Sequence, residues 1–216
     1  MTIKLFWQDP YMTDCKSRVT SIEGNKVKLD RTVFFAFSGG QESDDGTINN
    51  LKVIDAVKIG DKETIIDIEY ELESEPTFKV DDEVIVKIDA EKREKLRKLH
   101  SAAHIFYYFF VEAFGKQKII GSNIASDKAR VDFEYDKSVA ELLPPIEEKL
   151  NAFLAENHDI IMENDPAKQD LRWWHCESWK MPCGGTHVKN TKEIGKISLK
   201  RKNIGAGKER IEIYLN

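Results

Sequence analysis

The chain has 216 residues, a formal net charge of -5, and 41% hydrophobic, 33% charged and 10% aromatic residues. That length can bury a real core as one large domain or two small ones, and the aromatic and branched content excludes a disordered chain. No run of about 18 apolar residues marks a membrane span, Met1 to Trp7 lacks a signal-peptide core, and three cysteines argue against a disulfide framework and for a reducing cytoplasm.

Residues 1 to about 88 read as short strands. Thr2 to Trp7 is the first; Cys15 to Ile22 and Lys26 to Leu29 flank Glu23-Gly24-Asn25, a hairpin turn. Thr32 to Phe37 is β-branched and aromatic. Leu51 to Ile59 and Thr64 to Glu71 follow, with a Gly60-Asp61 turn between them, and Glu83 to Ile88 alternates cleanly. Many short strands with regular turns predict a small barrel. Near Asp89 the pattern changes. Leu96, Leu99, Ala103, Phe106 and Phe110 recur at helical spacing, so Ala90 to Phe114 reads as a helix with Gly115 as its stop. Ala129 to Tyr135 reads as a strand. Ser138 to Glu156 reads as a second helix, with Ser138 as N-cap and Pro144-Pro145 disturbing its middle. Ile197 to Lys202 and Arg210 to Leu215 read as closing strands.

Charge is uneven. Glu42 to Glu83 holds 14 acidic and 4 basic residues, whereas Lys189 to Arg210 holds 8 basic and 2 acidic. A basic patch on an acidic chain can still grip a polyanion, although a solvated surface of mixed sign fits the counts equally well.

The chemistry gathers in two pairs. His100 and His104 lie one helical turn apart, on one face, where the helix turns apolar. Buried there without a partner they would be costly. No carboxylate lies between them, so the metalloprotease signature and its built-in base are absent. Cys183 and His187 form the second pair, in Pro182-Cys183-Gly184-Gly185-Thr186-His187, where two glycines allow a tight turn. Together the pairs make a tetrahedral donor set that favours zinc over magnesium or calcium. Spacing alone leaves open a structural zinc, a catalytic zinc and no metal. Cys176 is an alternative thiolate, and Cys15 reads as a small core residue.

Two loops complete the set. Ser38-Gly39-Gly40-Gln41, continuing to Gly46, is a glycine-rich loop after a strand. It suits close approach to a backbone or phosphate, or an ordinary turn, and lacks the Walker lysine. Lys200, Arg201, Lys202, Lys208 and Arg210 surround Gly205 and Gly207 in a basic hairpin that suits phosphate or plain solvation.

These four features, in this order, resemble the editing region of alanyl-tRNA synthetase. Over essentially the whole chain they are similar to the stand-alone alanyl-tRNA editing proteins of the AlaX type, in their medium-length form. The resemblance rests on the SGGQ loop (Gly39, Gly40, Gln41), the HxxxH of His100 and His104, the CGGTH of Cys183 to His187 and the ending GxGxxRIE at Gly205 to Glu212. It implies an α+β chain: a small N-terminal β-barrel-like domain over residues 1–89, then an α+β editing domain over 90–216, shared with threonyl- and alanyl-tRNA synthetases. It further implies one zinc ion per chain, held by His100, His104, Cys183 and His187, and hydrolysis of mischarged tRNA(Ala). Serine is the leading substrate, glycine the second, and alanine is spared. The partner is the acceptor end of tRNA(Ala), contacted through Lys200, Arg201, Lys202, Lys208 and Arg210; no membrane is involved and a monomer is the simplest state. Ser101, Ser122 and Thr186 are the pocket hydroxyls expected to recognise serine, Ser101 foremost. The Ile119 to Ser122 stretch resembles a pocket segment, with Ile119 where the synthetases carry glutamine. Zinc either activates water or only orders the pocket. A non-catalytic RNA-binding protein with a structural zinc, and a zinc esterase on another aminoacyl-tRNA, are the rivals. The SGGQ loop favours the alanine system.

Overall fold

A computed structural model of the chain describes residues 1–60, 65–168 and 170–216. The chain is a sheet-rich α+β protein that divides into two compact units: Met1–Ser38, Glu42–Glu94 and Asn164–Leu171 in the first, and Gly39–Gln41, Lys95–Glu163 and Arg172–Asn216 in the second. No helix among the described residues is long and apolar enough to cross a membrane.

The first unit contains β1 (Ile3–Lys4), α1 (Leu5–Gln8), β2 (Asp14–Glu23), β3 (Lys26–Leu29), β4 (Arg31–Thr32), β5 (Gly46–Ile48), β6 (Leu51–Gly60), β7 (Ile65–Leu72) and β8 (Glu83–Ile88). Strands β2, β3, β7, β6, β5 and β8 are hydrogen-bonded in that cyclic order, and β8 pairs back onto β2. The alternation in β8 is the plainest reason: Val84, Val86 and Ile88 point inward while Glu83, Ile85 and Lys87 face out. The β2–β3 hairpin turns at Gly24, whose φ of +59° suits a residue without a Cβ. Cys15 packs partly buried against this core. The turn expected at Gly60-Asp61 reaches residues outside those described.

Two strand expectations in this unit need correction. Thr2 to Trp7 is a two-residue strand followed by one helical turn, which buries Phe6 against Phe35 with ring centroids 5.4 Å apart. Thr32 to Phe37 is a strand only as far as Thr32; Val33 to Ala36 are a buried loop. Its backbone is satisfied by side chains instead of a neighbouring strand. The Phe34 N–H donates to Thr32 Oγ1 (3.0 Å), the Phe35 N–H to Asp44 Oδ2 (2.7 Å), and Val33 O accepts from Arg93 Nη2 (2.7 Å). Arg93 and Asp44 also form a two-pronged ion pair, Nε to Oδ1 at 2.9 Å and Nη2 to Oδ2, with both groups buried. Backbone hydrogen bonding here depends on a paired buried charge.

The second unit takes α2 (Ala90–Phe114) from Lys95 onward, then β9 (Lys118–Ile124), β10 (Ala129–Glu134), α3 (Leu143–Ala155), β11 (Ile160–Asn164), β12 (Arg172–Cys176), β13 (Trp179–Pro182), β14 (Ile197–Asn203) and β15 (Lys208–Leu215). The first strand of the β11-β12-β13 sheet ends at the unit's edge; the other sheet runs β14-β15-β10-β9. Asp89 caps α2 by accepting the Lys92 N–H at 3.0 Å, and Gly115, at φ +73°, ends it with its N–H on Val111 O. The stripe read from the sequence is the buried one: Leu96, Leu99, Ala103, Phe106 and Phe110 all lie in the core, and Phe110 stacks on Phe133 of β10 at 3.9 Å. The second helix starts later than expected. Ser138 accepts the Ala140 N–H, and α3 begins at Leu143, so Pro144 and Pro145 sit in its first turn. There the missing N–H groups cost nothing, because first-turn donors have no helical partner.

Arg93→Leu leaves the Asp44 carboxylate buried and unpaired. It should lower the unfolding free energy by about 3–5 kcal/mol in urea titration, whereas breaking the exposed Lys16–Glu83 pair should leave the curve nearly unchanged.

Candidate metal centre

Helix α2 supplies His100 and His104 from one face, and the loop after β13 supplies Cys183 and His187. Their donor atoms all lie within 4.8 Å of one another. Cys183 Sγ is 3.2 Å from His187 Nε2 and 3.5 Å from His100 Nε2. In a tetrahedron with Zn–S of about 2.3 Å and Zn–N of about 2.0 Å, sulfur and nitrogen are roughly 3.5 Å apart, so these two separations are close to such an edge. The three imidazole centroids lie 4.2 to 4.7 Å from each other. His104 Nδ1 is buried with no hydrogen-bond partner among the described residues, which is costly for a polar atom.

The electrostatics suit metal binding. Burial pushes the pKa of His100 down to about 3; burial and then His100 push that of His104 well below the ordinary 6.5, and burial, then the two neighbouring rings and Arg172, do the same to His187. Neutral imidazole is the form that ligates. Arg172 is itself buried on β12, and its charge acts on both His187 and Cys183; a cation beside a thiol favours the thiolate. Cys176 is elsewhere: its thiol is buried in the core and pushed up to about 12, mainly by burial, and it is not one of the four donors.

Glycines make the close packing possible. A Cβ on Gly185 would lie 2.3 Å from His100 Cε1 and 2.7 Å from Gln41 Oε1. A Cβ on Gly40, at φ +86°, would lie 2.9 Å from Ser122 O and Oγ. Gly40 O accepts the Ile124 N–H at 2.7 Å, which docks the glycine-rich loop on β9. Gln41 follows, fully buried: its Oε1 is 2.8 Å from His100 Nδ1 and accepts the Thr186 N–H at 3.0 Å, while its Nε2 donates to Thr186 Oγ1 at 3.0 Å.

Beside the donors lies a cavity of about 300 Å³, lined among others by His100, His104, Tyr107, Ile119, Ser122 and Met181. That is at the small end for ligand pockets, which run from about 300 Å³ upward. Of the three expected hydroxyls only Ser122 reaches it. Ser101 is fully buried behind the cluster, its Oγ 3.1 Å from His187 Nδ1 and accepting the Val188 N–H at 3.2 Å. Thr186 is buried with its hydroxyl on Gln41. Ser101 is thus engaged by a ring nitrogen and a backbone N–H, and Thr186 by a side-chain amide. Arg172, Tyr107 and Trp174, whose ring meets His104 edge-on at 5.0 Å, carry no spacing signal in the sequence and were not expected at the site.

The basic hairpin differs from a simple phosphate cradle. Arg201 grips Glu209 with two bonds of 2.5 and 2.6 Å, and Arg210 grips Asp132 with two of 2.8 Å. Lys202 lies 3.2 Å from Glu212, and Lys200 sits 4.7 Å from the Tyr214 ring centre. Lys208 is exposed.

Comparison with known proteins gives the chain's family. Residues 171–212 match the family described as the threonyl and alanyl tRNA synthetase second additional domain. The chain is 37% identical to an alanyl-tRNA editing protein AlaX-M of Pyrococcus horikoshii, over all of this chain and 98% of the relative, and 30% identical to that of Saccharolobus solfataricus over 98% of each. It is also 32% identical to an alanine–tRNA ligase of Campylobacter jejuni, covering 94% of this chain but 26% of the ligase. The chain belongs to the AlaX-M family of alanyl-tRNA editing proteins.

Two outcomes check the centre. Gly185→Ala should lower bound zinc and the melting temperature together, measured by metal analysis and a thermal scan of one sample. In metal-free protein burial holds the pKa values of His100, His104 and His187 below 6.5, that of His100 at about 3, so below pH 6.5 the unfolded chain binds more protons at these three sites. Stability is then complete above pH 6.5 and should fall on acidification, by up to about 1.4 kcal/mol per pH unit for each histidine, as read by urea titrations across that range.

Proposed function

We propose that this chain deacylates mischarged tRNA(Ala), removing serine chiefly and glycine second while sparing alanine, with one zinc ion held by His100, His104, Cys183 and His187. The observation that carries the reading is the small cavity against this donor set, in a chain that matches an AlaX-M protein end to end. A barrel-like unit over residues 1–89 and an editing domain over 90–216 is the division it assigns. A reducing cytoplasm suits a thiolate ligand.

When bound, zinc supplies Lewis acidity toward the ester carbonyl and makes nearby water more acidic. The protein's own residues do the rest. The cavity has room for a small aminoacyl group. Ser122 lines that cavity, and its hydroxyl is the one this reading assigns to the seryl side chain. A site that hydrogen-bonds a substrate hydroxyl can reject the analogue lacking it by as much as about 10⁴–10⁵, though an exposed serine supplies less. Ile119 and Tyr107 add apolar surface to the cavity lining. Outside the cavity, Lys200 and Lys208 are the cations that meet phosphate with least loss, since Arg201 and Arg210 would have to leave bidentate carboxylates first.

The decisive test compares deacylation of Ser-tRNA(Ala) and Ala-tRNA(Ala) by native protein and His104→Ala. Loss of serine alone, abolished in the variant, is expected. Tight tRNA binding with bound zinc and no turnover would instead favour a non-catalytic RNA-binding protein. Ser122→Ala should narrow the serine-to-alanine ratio of kcat/KM, and a ratio unchanged from native would remove Ser122 from recognition. Lys200→Ala with Lys208→Ala should reduce the salt slope of tRNA binding by about 1 per residue.

A further inference from the structure

We propose that Gln41 is a positioning residue for the metal centre: it fixes His100 as the Nδ1–H tautomer, so that the Nε2 lone pair faces the donor cluster. The inference follows from which atoms donate. The Thr186 N–H can only donate, and it points at Oε1 of Gln41 from 3.0 Å. That atom is therefore the amide oxygen, and the amide nitrogen on the other side donates to Thr186 Oγ1. Oxygen can only accept, so the His100 Nδ1 that lies 2.8 Å from it must carry the proton. The neutral ring then presents an unprotonated Nε2, and that atom is the one 3.5 Å from Cys183 Sγ.

The arrangement is built as well as satisfied. Gln41 is fully buried, so its amide has no water to turn toward. Gly40 O bonded to the Ile124 N–H holds the loop in register on β9, and Gly185 leaves just enough room for the amide and the His100 ring to meet. Ligating histidines ordinarily give their second N–H to a carboxylate, a carbonyl or water; here a side-chain amide takes that place, and a backbone N–H sets its orientation. Gln41 plays this part only if His100 is a zinc ligand, as proposed above.

The test has two arms, neither of which reads activity. In zinc-free native protein at pH 8, the ring ¹⁵N–¹H spectrum should show His100 as the Nδ1–H tautomer. In chelator competition, Gln41→Leu should raise the zinc dissociation constant about 10- to 100-fold. Gln41→Glu, which keeps an acceptor oxygen for both Nδ1–H and the Thr186 N–H, should restore it to near the native value. A purely space-filling role would treat leucine and glutamate alike. An Nε2–H tautomer at His100 in native protein, equal zinc affinity in native and Gln41→Leu, or a Gln41→Glu variant as weak as Gln41→Leu, overturns the role. Native protein that takes up no zinc overturns the metal centre and this role with it, whereas zinc-bound native protein beside an indifferent leucine variant overturns the positioning role alone.

Discussion

The contact between the Gly185 backbone and the edge of the His100 ring is the constraint on which the centre rests. The loop lies so close to helix α2 that even one methyl group would overlap the imidazole. From that approach the rest follows. Thr186 comes within reach of the Gln41 amide, and His187 and Cys183 come within a tetrahedral edge of each other. A flexible loop could bring the same residue types together on average. A loop pressed flat against a capped helix holds them at fixed separations, which is what a donor set needs.

How much of this could be read from residues alone depended on whether the deciding force was local. Helix α2 was legible because its apolar stripe, its Asp89 start and its Gly115 stop all act within one turn of themselves. His100 and His104 were legible for the same reason, since i and i+4 on a helix share a face; Cys183 and His187 lie on a loop and showed only as a pair of metal-binding residue types around two glycines. The loop Val33 to Ala36 was not, because its backbone is satisfied by Asp44 and Arg93, one distant by nine residues and the other by sixty. Strands β9, β11, β12 and β13 carry few alternating residues and owe their pairing to the sheets they join. The prolines of α3 were seen, but their meaning depends on where the helix begins.

The same distinction runs through the polar residues. Ser101, Thr186 and Ser122 are one chemical type in sequence and three different things in the fold: a neighbour of His187, an acceptor for Gln41 and a cavity wall. A basic cluster likewise announces its charge but not its partners. Glu209 and Asp132 neutralise two arginines of the hairpin, and nothing in a composition count distinguishes a committed guanidinium from an available one.

Residues Gly39 to Gln41 belong to the second compact unit although their neighbours on both sides belong to the first. The chain therefore cannot be cut once into a donor-bearing piece and a remainder without cost. A fragment beginning at residue 90 would inherit all four ligands and lose the amide that faces His100.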